Sequence, residues 1–111
     1  MEWTLNLKAL ADAVDLEEEV YREMMDLFAK TTYSDLGELH CAITEGNSRK
    51  AREAAHSIKG AAGSLGLKEI YGAAKTIEDK ARENNLEGLT DAAADLRKRI
   101  DFIASALGRR E

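Results

Sequence analysis

His56-Ser57-Ile58-Lys59-Gly60-Ala61-Ala62-Gly63-Ser64-Leu65-Gly66 is the stretch on which the fold turns. With the residues just before it, it carries apolar side chains at Ala51, Ala55, Ile58, Ala62 and Leu65, the 4-3-4-3 spacing of one buried helix face. At about 100° per residue, His56 lies roughly 140° from the centre of that stripe, Gly63 about 120° and Gly60 about 180° away. The histidine therefore points outward, with one glycine a turn on and another two turns on. Each glycine costs about 1 kcal/mol of helix propensity relative to alanine. Two of them around an exposed imidazole describe a surface kept low so that another protein can come close.

The same periodicity runs outward from this helix, which is predicted over about residues 49–65 and closed by Gly66. Downstream, Leu67, Ile70, Ala74, Ile77 and Ala81 share one face, and Asn84-Asn85 interrupts the pattern. Leu89, Ala93, Leu96, Ile100, Ile103 and Leu107 then form the cleanest repeat in the chain. Upstream, Glu45-Gly46-Asn47-Ser48 is a break, with Asn47 or Ser48 able to cap the histidine helix. Before it, Leu36, Leu39 and Ile43 are the inner side of a helix starting near Thr32-Tyr33-Ser34. Leu16, Val20, Met24, Leu27 and Thr31, broadened by Phe28, predict a separate helix over about residues 14–31. Leu5, Leu7, Leu10 and Ala11 predict a short segment ending near Asp12. No stretch alternates like a strand. The expected fold is all-α, an antiparallel up-down four-helix bundle with a short additional N-terminal helix. It reads as a single domain over 1–111, with its core bundle over about residues 14–107.

Composition narrows the function classes. A chain of 111 residues buries roughly 60–68% of its unfolded surface, enough for one core without staples. It has no proline and a formal net charge of -5, which argues against nonspecific binding to nucleic acid or anionic membranes. Six aromatic residues, Trp3, Tyr21, Phe28, Tyr33, Tyr71 and Phe102, are too few for a base-stacking surface. Cys41 is the single cysteine, so an intrachain disulfide and a multi-cysteine metal cluster are excluded, and a reducing, cytoplasmic setting is expected. No apolar run reaches about 18 residues, so no direct membrane insertion is expected. Met1 and the Gly108-Arg109-Arg110-Glu111 end read as those of a free-standing polypeptide.

The run His56-Ser57-Ile58-Lys59-Gly60, extended through Gly66, closely resembles the histidine-containing phosphotransfer (HPt) domain family of bacterial and plant phosphorelays. Ala55 before the histidine, the Gly46-Asn47 break and the helical pattern over about residues 10–105 support the match. The resemblance implies that His56 is the phosphoacceptor, usually on Nε2. It implies that Lys59 is the positive neighbour that orients the phosphoryl group, and that Gly60 is the position whose missing side chain opens the histidine to its partner. It implies a histidine phosphocarrier of a two-component phosphorelay. The partners would be a response-regulator receiver domain and a histidine kinase or hybrid kinase, with no kinase activity of its own. No cofactor is expected in the domain itself, and Mg²⁺ is expected on the receiver partner.

The residues support this reading independently. An unperturbed imidazole, pKa about 6.5, offers a neutral ring nitrogen near neutral pH, a nucleophile for phosphorus. Lys59, three residues on, can reach phosphoryl oxygens from the same helix surface. Arg52, Gly63 and Ser64 extend the expected partner surface, which also draws on the helix of about residues 14–31. There is no Walker A run, no kinase glycine loop, and no acid pair beside His56 to hold Mg²⁺. His40 and Cys41 diverge by about 100° on a helix and make no metal site. Glu78 and Asp79 read as helix carboxylates with no arrangement for hydrolysis. Arg97-Lys98-Arg99 reads as solvated charge. Two other readings stay open: a helical protein-interaction module that is never phosphorylated, and the isolated phosphoacceptor domain of a larger hybrid or chemotaxis-type kinase.

Overall fold

A computed structural model of the chain describes residues 6–108, which hold five α-helices and no strand. They are α1 (Leu7–Ala13), α2 (Glu18–Glu45), α3 (Ser48–Ser64), α4 (Lys68–Arg82) and α5 (Leu89–Gly108). The short N-terminal helix is present, although Leu5 of its predicted stripe lies outside the described residues. The four long helices touch in a cycle: α2 packs on α3, α3 on α4, α4 on α5 and α5 on α2, with α1 resting on α2. α2, with 28 residues at about 1.5 Å each, is as long as the molecule's 42 Å axis.

Three expectations for α2 are overturned. The break near Thr32-Tyr33-Ser34 does not exist, and the two predicted helices are one. Nothing between Thr31 and Leu36 stops a helix, and Thr32 is buried in register with Phe28 and Leu36. The helix also starts at Glu18 rather than near residue 14. Val14–Glu17 form the turn out of α1, with Asp15 at φ 64 and the Leu16 amide donating to the Ala11 carbonyl at 2.9 Å. The third concerns the buried face. Tyr21, Met25, Phe28, Ala29, Thr32, Leu36 and Leu39 face the core, whereas Val20, Met24 and Leu27 are exposed, Leu27 to 65%. Thr31 is exposed as well.

The other faces follow the sequence pattern. Ala51, Ala55, Ile58, Ala62 and Leu65 are buried, as are Ile70, Ala74, Ile77 and Ala81 on α4 and Leu89, Leu96, Ile100, Ile103 and Leu107 on α5. The small alanines of α3 let it lie close between α2 and α4. Tyr21, buried on α2, donates its hydroxyl to the Leu65 carbonyl at 2.6 Å and so joins α2 to the end of α3. Asn47 caps α3, its side-chain oxygen accepting from the Lys50 amide at 3.0 Å, while Gly46 at φ 71 ends α2. That φ is open to glycine at little cost and strained for most L residues.

Candidate functional site

His56 stands at the middle of α3 with its side chain 67% exposed. Its Nδ1 is 2.7 Å from Oε2 of Glu78 on α4, a carboxylate only 4% exposed. An ionised carboxylate only accepts hydrogen bonds, so Nδ1 carries the proton and donates it. That leaves Nε2 as the unprotonated nitrogen of the neutral ring. A buried acid thus fixes the tautomer of an exposed imidazole and leaves Nε2 with its lone pair free.

Glu78 gathers the cations of the site as well. Lys59 Nζ lies 2.7 Å from Oε1, with the lysine side chain only 20% exposed. The approach is off the line of a good hydrogen bond, so buried Oε1 is compensated by the ammonium's charge and not by an aligned donor. Arg82 Nη2 is 3.4 Å from Oε2, and its Nη1 is 3.0 Å from Oδ1 of Asp79. Burial pushes the Glu78 carboxyl up, but the contacts with Lys59 and His56 and their charges outweigh it and hold the group below the usual carboxylate range. The same contact with Glu78 raises Lys59, against the opposite pull of desolvation. Lys59 is therefore more than a solvated charge beside the histidine: it helps keep Glu78 ionised.

The sequence reading missed Glu78. A signal was present, because Glu78 follows Ala74 by four residues and precedes Ala81 by three, placing it on the apolar stripe of α4. A carboxylate on such a face needs a cation or a donor to face it.

The remaining site residues separate by environment. Gly60 is exposed, and a Cβ built there would meet nothing within 4 Å. Gly63 is exposed too, but a Cβ there would sit 3.3 Å from Cδ2 of Tyr71 on α4. Gly63 thus doubles as a close-packing position. Ser64 is exposed and donates to the Gly60 carbonyl at 3.2 Å. Ser57 donates to Oδ2 of Asp35 at 2.8 Å, tying α3 to α2 beside the histidine. Val20, Met24 and Leu27 lie within about 80° of Asp35 around α2, so this exposed apolar edge borders the outer face of α3. Tyr71 flanks the same face from α4. Among the described residues no group of three or more His, Cys, Asp or Glu is placed to hold a metal ion, and no helix is long and apolar enough to cross a membrane.

Gly60 yields a direct expectation. Gly60→Ala should stabilise the helix by up to about 1 kcal/mol, since the added methyl meets open space. If the resemblance of the His56 run holds and this face exchanges a phosphoryl group, Gly60→Phe should leave cooperative thermal unfolding intact yet slow that exchange strongly, because a displacement of about 1 Å in an aligned transfer is costly. Transfer rates and melting curves on the two variants check this.

The Hpt domain family model matches residues 23–106, most of the chain, and the protein belongs to this family. Its function is accordingly histidine phosphotransfer in a phosphorelay, and members of the family interact with response regulators and kinases. Among solved structures, histidine-containing phosphotransfer protein B (HptB) from Pseudomonas aeruginosa PAO1 has the same fold, with a TM-score of 0.81 and 24% sequence identity over 95% of this chain and 91% of that one. Comparison with curated proteins gives no match.

Proposed function

We propose that His56 is the phosphoacceptor and exchanges a phosphoryl group with the aspartate of a response-regulator receiver domain. The observation that carries the assignment is the 2.7 Å contact of Nδ1 with buried Glu78 on an otherwise exposed ring. Nε2 forms the new bond to phosphorus, the P–O bond of the aspartyl phosphate breaks, and the carboxylate leaves. The proton stays on Nδ1, where Glu78 balances the positive charge that develops on the ring. Gly60 gives the partner access, and Arg52, Gly63 and Ser64, with the Val20, Met24 and Leu27 edge of α2, form the docking surface. Mg²⁺ and the remaining charge neutralisation come from the receiver.

This reading goes with a single domain over 1–111, a cytoplasmic setting and an up-down antiparallel bundle. The support for the last is that positions rise on one helix as they fall on its neighbour. Tyr21 and Asp35 of α2 meet Leu65 and Ser57 of α3, and Arg22 and Tyr33 meet Leu107 and Asp101 of α5. Incubation with a phosphorylated receiver, or with a histidine kinase and ATP, should place an acid-labile phosphoryl group on the domain. A module used only for binding acquires none.

Lys59 acts at one remove and at first hand. It sustains the ionised Glu78 and lies one turn from the ring, within reach of phosphoryl oxygens. Lys59→Ala should slow transfer about tenfold or more, the loss expected for one charge-assisted hydrogen bond. It should also lower stability, because buried Oε1 of Glu78 loses its ammonium. Rapid-mixing transfer rates and denaturant unfolding on the variant measure the two effects separately.

A further inference from the structure

A cleft of about 290 Å³ opens beside the histidine, lined by Arg52, Glu53, His56, Glu78 and Arg82. The register of α3 on α4 explains the lining. Gly63 faces Tyr71 and His56 faces Glu78, so one further turn along each helix, in opposite directions, brings Arg52 level with Arg82. Arg52 and His56, four residues apart on α3, lie one above the other on the same face of the helix.

The charges in this cleft are nearly all committed. Lys59 and Arg82 are held by Glu78, and Arg82 also by Asp79. Glu53 pairs with Arg49 at 3.7 Å, and Lys75 pairs with Asp79 at 3.0 Å. Arg52 is half-buried and, among the described residues, forms no hydrogen bond or ion pair. A cleft that already contains two guanidinium groups thus has one cation without a counter-charge, one turn from the acceptor.

Resting on the phosphocarrier reading, we propose that Arg52 is a phosphoryl-binding residue that clamps the phosphoryl group on His56 after transfer, with Arg82 closing the cleft from the opposite helix. A guanidinium matches the spacing of two phosphoryl oxygens and binds them as a fork. The motif lysine cannot supply all of this compensation, because Glu78 already takes much of its charge. The clamp leaves Lys59 shared between Glu78 and the phosphoryl oxygens, and gives Arg52 the main hold on the dianion.

Phosphoramidate tests this without any protein partner. Nε2 of His56 bonds to phosphorus, the P–N bond of the donor breaks, ammonia leaves, and the Nδ1 proton stays on the ring. Melting curves of phosphorylated and unmodified domain, for wild type and Arg52→Ala, form a cycle that isolates the coupling between the phosphoryl group and Arg52. The shift on phosphorylation should be more positive in wild type by about 5 °C, with part of the difference kept by Arg52→Lys. The Arg52 Nε–H signal in NMR spectra should move on phosphorylation, while that of Arg97 on α5 stays in place. Equal shifts in wild type and Arg52→Ala, or an unmoved Arg52 signal, overturn the clamp and leave the acceptor assignment standing. Failure of wild type to take up any phosphoryl group on His56 overturns both.

Discussion

His56→Gln should abolish phosphoryl acceptance while leaving the fold intact. Glutamine keeps a side-chain N–H able to donate to Glu78, so the buried carboxylate retains a partner and α3 and α4 stay joined. What it lacks is a ring nitrogen able to attack phosphorus. The expected result is an undetectable acid-labile label together with unchanged helical content and a cooperative melt. The chain contains one other histidine, His40, exposed on α2. His40→Gln should transfer at the wild-type rate. Label retained by a folded His56→Gln variant would rule out the assigned acceptor.

Glu78 carries the second large effect. Glu78→Ala removes the group that holds the Nδ1 proton, so the neutral ring is free to place its proton on Nε2, the wrong tautomer for attack. Loss of one charge-assisted hydrogen bond predicts a rate reduction of ~10- to 100-fold. Stability should fall too, as half-buried Lys59 loses its counter-charge. The pH dependence has a definite sign. The carboxyl titrates lower in the fold than its ordinary value of 4.5, so the folded state favours the ionised form. Its contribution is present above that ordinary value and is lost as pH falls through the depressed one. Glu78→Gln should flatten this part of the acid unfolding curve. Denaturant unfolding across the acid range, with transfer rates at neutral pH, checks both effects. An acid branch identical in wild type and Glu78→Gln would contradict the role given to the carboxylate.

The legibility of this protein in its sequence follows the strength of its patterns. α3, α4 and α5 each carry one apolar stripe with no rival, and those stripes are the faces that the core buries. α2 carries two. Val20, Met24, Leu27 and Thr31 have helical spacing, but so do Tyr21, Met25, Phe28, Thr32, Leu36 and Leu39. Periodicity cannot rank two such faces by itself. Length can, because only the second continues unbroken past Thr32 into Leu36 and Leu39, and reading the segment as two helices concealed this. The apolar stripe left outside borders the outer face of α3 and is an exposed apolar edge of the kind that marks interaction surfaces.

At the candidate site, the grouping of His56, Lys59 and Gly60 was legible because they sit within a few residues of one another on one helix. Glu78 and Arg82 were not, because their roles depend on how α4 is placed against α3. A local spacing rule shows which residues share a face of one helix. It cannot show which residue of the next helix that face will meet. The buried position of Glu78 on an apolar stripe was the one local hint that a partner was required.

Phosphorus–nitrogen correlation NMR on the phosphorylated, ¹⁵N-labelled domain tests the central claim most directly. The account predicts a single phosphohistidine at His56, with phosphorus coupled to Nε2 and the proton still on Nδ1. A phosphoryl group on Nδ1 of His56, or on His40, would contradict it.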